Sequence, residues 1–260
     1  MSFSKVVIVG AGGEMGSLFA SVCREAGQEV RGLEKGFEQD EAEAAFTGAD
    51  LVLLCVPIGC VEAALSAVIP HLDGSQILAD VSSVKENPLR AMLRAYGGPV
   101  AGTHPLFGGK LPAPEDRRVA VCTGRGEAAV EVVEDWLESL GFIPFRCTAR
   151  EHDEAQALVQ GLNFVTTVSY LATVANHPGV ERFLTPSFGR RVEAARKMLS
   201  SDASMFEAMF ESNPASQDAV RLFRSFLNVA AGGDVDLLVQ RARRWWSRQT
   251  DGESHGTDTA

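Results

Sequence analysis

Residues 5–16 read Lys-Val-Val-Ile-Val-Gly-Ala-Gly-Gly-Glu-Met-Gly, and an amphipathic run through Leu18, Phe19 and Val22 follows without a break. A short β-branched run, a glycine turn and a helix start, in that order, open a β-α-β unit whose turn receives a dinucleotide. Glycines let the backbone approach a pyrophosphate with no Cβ in the way. The helix N-terminus adds unpaired N–H donors at the positive end of its dipole. Gly10, Gly12, Gly13, Glu14, Met15 and Gly16 are therefore candidate cofactor-binding residues. The spacing departs from strict GxGxxG: from Gly10 it is GxGxxxG, and read from Ala11 the first glycine is replaced. Glu34 closes the next β-branched run about 20 residues on, where a carboxylate accepts hydrogen bonds from ribose hydroxyls and repels a 2′-phosphate. That favours NAD, while Arg31 and Lys35 keep NADP open.

Downstream of the turn, β-branched runs recur at 29–33, 51–56, 76–81, 100–104, 118–122 and 143–147, with helical patterns at 13–26, 41–46 and 60–69 among the early ones. Such alternation predicts an α/β fold, a Rossmann-type doubly wound and mostly parallel sheet, over residues 1–148. From 149 to 246 the period becomes helical, through Leu158, Leu162, Val165, Val168 and Leu171, which predicts an all-helical domain. Its first helix has a capping-box start, Thr148 with Glu151, and a stop near Asn176 before His177-Pro178-Gly179. A helix of about 42 Å with so apolar a surface needs cover from a second copy, so a homodimer is expected. Residues 247–260 are polar and read as a flexible tail.

Composition narrows the partners. Twenty-four Lys and Arg against 34 Asp and Glu leave a net charge of −10 in 260 residues, which repels nucleic acid and anionic lipid and points to a small molecule. The longest uninterrupted apolar run, Leu51 to Val61, is far short of the roughly 20 residues that span a bilayer. Val6–Val9 is likewise too short for a signal-peptide core, so a cytoplasmic protein without membrane contact is expected. Five cysteines with no CxxC pair speak against a disulfide frame or a zinc site, and read as reduced core thiols.

Three further stretches leave carboxyl ends of strands, where ligands of doubly wound folds bind. Cys55-Val56-Pro57-Ile58 places Val56 and Pro57 against the nicotinamide side of the crevice. Asp80-Val81-Ser82-Ser83-Val84-Lys85 and Gly102-Thr103-His104-Pro105-Leu106-Phe107-Gly108-Gly109 let Ser83 and His104 converge over it, with Lys85 a candidate substrate-binding residue. A neutral imidazole is the side chain suited to draw a proton from an alcohol near neutral pH. The basic stretch 190–197 offers Arg196 and Lys197 as anchors for a substrate carboxylate.

Taken together, GAGGEMG (10–16), CVPI (55–58), DVSSVK (80–85), GTHPLFGG (102–109) and EHDEAQALVQGLNF (151–164) resemble the prephenate dehydrogenase family, including its arogenate-using members. The resemblance implies NAD-dependent oxidative decarboxylation of prephenate to 4-hydroxyphenylpyruvate, in tyrosine biosynthesis, without a metal. His104 takes the proton of the substrate hydroxyl, and Ser83 bonds that hydroxyl or the imidazole. It also implies that Gln160 faces the pocket, that His152 is structural, and that the family's carboxylate-binding arginine falls on Lys197, beside Arg196. Phe164 stands where feedback-inhibited relatives carry a histidine, which implies weak inhibition by tyrosine. No fused chorismate mutase or regulatory domain is expected. Arogenate is the rival substrate, Lys110 favouring the keto acid. A noncatalytic NAD-sensing dimer is the rival outside enzymes.

Overall fold

The computed structural model describes residues 3–200 and 202–253, with the backbone alone at Lys197 and 248–253. Strands β1 (Lys5–Val9), β2 (Glu29–Leu33), β3 (Leu51–Leu54), β4 (Ile77–Asp80), β5 (Val100–Pro105), β6 (Arg118–Arg125) and β7 (Ile143–Cys147) form one sheet, ordered β2-β1-β3-β4-β5-β6-β7. The first five are parallel. β6 runs antiparallel to β5, and β7 is parallel to β6. Only a single helical turn (Pro114–Asp116) lies between β5 and β6, so the chain lacks the helical crossover that a parallel return requires. Alternation of strands and helices does not reveal this reversal.

Helices α1 (Glu14–Glu25), α2 (Gln39–Phe46), α3 (Val61–Val68), α4 (Glu86–Ala95) and α5 (Glu127–Ser139) cover the sheet. Because successive strand residues face opposite ways, two apolar cores result. Val6, Ile8, Leu51 and Leu53 meet Phe19 and Trp136 on one face, and Val7, Val9, Val52 and Leu54 meet Phe46, Leu65 and Met92 on the other. The Trp136 indole stacks on Phe19 at 6.0 Å and donates to Gln28 Oε1 at 3.2 Å, so its polar atom is satisfied. Cys23 and Cys122 are core thiols, but Cys60 is exposed, on the turn after β3. All five cysteines are free.

After β7 the chain is helical. A continuous helix comprises α6 (Ala149–Gln156), a π-helical stretch (Ala157–Leu162) and α7 (Asn163–Ala175). Its start is the expected capping box: Thr148 Oγ1 accepts from Glu151 N at 3.1 Å and Glu151 Oε2 accepts from Thr148 N at 2.8 Å. Four residues of α-helix overshoot one turn by about 40°, a drift that the wider π turn takes up. Gln156 and Gln160, four apart, both keep a side-chain oxygen buried without a partner. The helix Ala149–Ala175 is long and apolar enough to cross a membrane by length and composition, and most of its apolar stretch is not buried. The longest uninterrupted apolar run in the sequence did not disclose this, because polar side chains interrupt the helix at regular intervals.

Helices α8 (Pro186–Ser200), α9 (Ala203–Ser212), α10 (Ser216–Ala231) and α11 (Val235–Glu253) complete the chain. Residues up to Ser216 form one compact unit and those from Gln217 a second. The stretch expected to be a loose tail from 247 is helical as far as Glu253, where α11 ends. No glycine or proline interrupts 235–251, and polar residues alone do not end a helix. Residues 254–260, the rest of that tail, lie outside the described residues. Thr148→Ala removes the cap of the helix that carries His152 and is expected to lower stability by about 1 kcal/mol, read as a reduced urea midpoint at unchanged slope.

Candidate active site

The glycine turn fits a dinucleotide by what a side chain would do there. Gly10 has φ +85°, and a Cβ on it would lie 2.6 Å from the Cys55 carbonyl oxygen and 3.2 Å from Val56 Cγ1. A Cβ on Gly16 would run into the Gly10 carbonyl oxygen, so α1 could not approach β1 so closely. Gly13 N donates to Gly10 O at 3.2 Å, and Gly12 N to Glu34 Oε1 at 2.5 Å. The carboxylate at the end of β2 therefore lies at the turn itself, beside a cavity lined by Arg31, Glu34, Lys35 and Phe37. Glu14 opens α1, Met15 packs on the core, and Pro57 caps the turn after β3. β1 has β2 on one side and β3 on the other, which makes this the point of the sheet where ligands bind.

His104 stands at the far end of β5, and the loop after it folds back onto α1: a Cβ on Gly109 would lie 3.0 Å from Glu14 Oε2. The imidazole is 3% exposed. Its Nδ1 is 2.8 Å from His152 Nε2, with the rings nearly perpendicular at 73°. His152 Nδ1 is 2.8 Å from Asp153 Oδ1. Asp153 in turn accepts from Lys85 N (2.7 Å) and Glu86 N (2.9 Å), the amides at the start of α4. Burial, then the neighbouring His152, then the Lys85 cation hold the His104 pKa well below the ordinary imidazole value. A neutral imidazole at pH 7 can accept a proton.

Lys85 does not serve a substrate, contrary to the sequence expectation. Its ammonium is completely buried, bonds both Asp80 oxygens at 2.7 Å, and donates to Thr103 O at 2.6 Å. Motif spacing placed Lys85 near His104 but could not tell that the side chain turns under the sheet edge toward Asp80. Ser83 is half-buried, and no hydrogen bond joins it to His104 among the described residues; Ser82, its neighbour, has its Oγ buried and unpartnered. Gln160 keeps an unpartnered buried Oε1. Arg196 is exposed and paired with Glu193 at 2.9 Å, so the structure does not bring it to His104. The side chain of Lys197 lies outside the described residues. Asp80, Asp153 and Gln156 carried no signal of their own, although the Glu-His-Asp triplet in a capped first turn marks where one lies.

A dinucleotide turn at the switch point and a buried, neutral histidine beyond the neighbouring strands define an oxidoreductase of the doubly wound, dinucleotide-binding class. The family model for the nucleotide-binding domain of prephenate dehydrogenase matches residues 20–141. A T-protein of Enterobacter agglomerans is 30% identical over 252 residues, which is 93% of this chain and 67% of that protein. A T-protein of Haemophilus influenzae is 28% identical over 206 residues, 78% of this chain and 54% of that one. The chain thus spans between about half and two thirds of the length of these relatives. In fold it is similar to a prephenate dehydrogenase from A. aeolicus, crystallised with hydroxyphenyl propionate and NAD+, at TM-score 0.79 and 19% identity over 96% of this chain and 99% of that one. It is also similar to Synechocystis arogenate dehydrogenase, at TM-score 0.71 and 20% identity over the same shares. This chain belongs to the prephenate dehydrogenase family.

Removing one member of a buried ion pair strands the other charge. Lys85→Met is expected to destabilise the protein by roughly 3–5 kcal/mol, read as a lowered urea midpoint, and not merely to raise a substrate KM.

Proposed function

We propose that the chain catalyses NAD-dependent oxidative decarboxylation of prephenate to 4-hydroxyphenylpyruvate. The observation that carries this reading is His104: buried, neutral, bonded among the described residues at Nδ1 only, and joined through its loop to the first helical residue after the glycine turn. The glycine turn and the amides opening α1 hold the pyrophosphate, and Glu34 exchanges its bond from Gly12 N for the adenosine ribose hydroxyls. NAD, when bound, takes up the hydride from the ring carbon that bears the hydroxyl. His104 Nε2 accepts the proton of that hydroxyl, with Ser83 as a second hydrogen-bond partner of the same oxygen. Loss of the ring carboxylate as CO2 makes the ring aromatic, so the protein supplies position and polarity and not the driving force. Gln160, with its oxygen unpartnered, is a candidate for the substrate's polar groups.

The exposed apolar side chains of the helical part, among them Leu158, Val159 and Tyr170 on the long helix and Leu222, Leu227, Leu237, Trp245 and Trp246 in the second unit, suit a second copy better than water. We read the enzyme as a cytoplasmic homodimer, in a compartment where its free thiols stay reduced. Light scattering at micromolar concentration is expected to give twice the 27.8 kDa chain mass.

Mixing the protein, NAD and prephenate is expected to raise absorbance at the reduced-nicotinamide band, and parallel initial rates with arogenate decide between the two substrates. His104→Asn is expected to lower kcat by roughly 10²- to 10⁴-fold while NAD still binds; unchanged turnover would remove His104 from the role of base, and no reduced nicotinamide from the wild-type protein would return the chain to the noncatalytic class. Because the base must be neutral and its pKa is depressed, kcat/KM should hold from pH 8 down through the ordinary histidine range and fall only at more acid pH.

A further inference from the structure

We infer that His152 and Asp153 are positioning residues that fix His104 in the tautomer with hydrogen on Nδ1 and a free lone pair on Nε2. This rests on the proposed role of His104 as base, and it gives a task to two residues that the reaction never touches.

The direction of each hydrogen bond follows from what the groups can do. The Asp153 carboxylate can only accept. Its oxygens already take the amide hydrogens of Lys85 and Glu86, which hold the carboxylate in place at the positive end of α4. The side chain is completely buried, and Asn213 Nδ2 secures the Asp153 carbonyl at 2.9 Å. The hydrogen in the 2.8 Å contact between His152 and Asp153 therefore sits on His152 Nδ1. With the ring hydrogen of His152 held on Nδ1 by that carboxylate, its Nε2 lone pair faces His104, and the 2.8 Å contact is made by a hydrogen on His104 Nδ1. The remaining nitrogen of His104, which makes no hydrogen bond among the described residues, is left as an acceptor. Free imidazole has no such constraint, and a tautomer with hydrogen on Nε2 could not take the substrate's proton. Two imidazoles and a carboxylate in series thus orient the base as a carboxylate alone does in hydrolase and metal sites.

Nitrogen-15 NMR of protein labelled at histidine reads the tautomer directly, with His104→Asn used to assign the His104 signals. The expected wild-type result is a protonated Nδ1 and an unprotonated Nε2 on His104 at pH 7. A proton on His104 Nε2, as a charged His152 donating toward His104 would produce, overturns the inference. His152→Phe leaves His104 Nδ1 without an acceptor, whereas the amide oxygen of His152→Gln can replace it. With prephenate, kcat should fall roughly 10²-fold or more in the Phe variant, at nearly unchanged KM and NAD affinity, and recover at least in part in the Gln variant. Equal kcat in folded Phe, Gln and wild-type proteins also overturns the inference. Should His152→Phe fail to fold, the wild-type spectrum and the Gln variant still decide. The tautomer is read without substrate, so a protein inactive on prephenate but carrying hydrogen on Nδ1 defeats the functional reading alone. An active protein with hydrogen on Nε2 defeats this one alone.

Discussion

The Asp153 carboxylate, wholly buried and gripped by the amides of Lys85 and Glu86, joins the parts of the site that lie far apart in sequence. A buried carboxylate without such donors would be driven to protonate or to move into water. With them, it ties the first turn of the long helix to the start of α4, directly after the loop that follows β4. Two more bonds close the same junction: Asn213 holds the Asp153 carbonyl, and Asn87 Nδ2 donates to Ser212 O at 3.1 Å. The end of α9 is thereby fastened to the same point.

Beneath it, Lys85 uses both ends. Its amide serves Asp153 while its ammonium bonds Asp80 and the Thr103 carbonyl, so one residue connects β4, β5 and the helical segment. Thr103 Oγ1 adds a bond to Asp80 O at 2.5 Å. His104 follows Thr103, and its position depends on this polar layer between the apolar core and the crevice. The arrangement also explains the low pKa of His104: the burial and cation that steady the strand ends disfavour a charge on the imidazole. Stability and acid–base readiness here have a common source.

Much of this was legible from the chain. The seven strands fall where β-branched runs place them, and the Thr148–Glu151 box starts the helix as its spacing requires, because these are local preferences of adjacent residues. The glycine turn is equally local. The α4 and α5 helices were less visible; α4 carries Glu86, Asn87, Arg90 and Arg94 around a buried stripe of Pro88, Leu89, Ala91 and Met92. The reversal at β6 depends on how a loop returns, and the π turn packs against α9, which comes from a distant stretch of chain.

The sequence by itself determined the doubly wound sheet, the dinucleotide turn with its acidic neighbour, and the histidine at the strand end, since each follows from the local pattern of residue types and their spacing along the chain. Only the tertiary structure decided what Lys85, His152 and Arg196 face. Lys85 is turned inward to Asp80, His152 is set against His104 forty-eight positions away, and Arg196 is left in solvent beside Glu193. The physical reason is that a side chain's charge and chemistry are fixed by its type, whereas its partner is chosen by which distant segments pack together and by the cost of leaving any buried polar group unpaired.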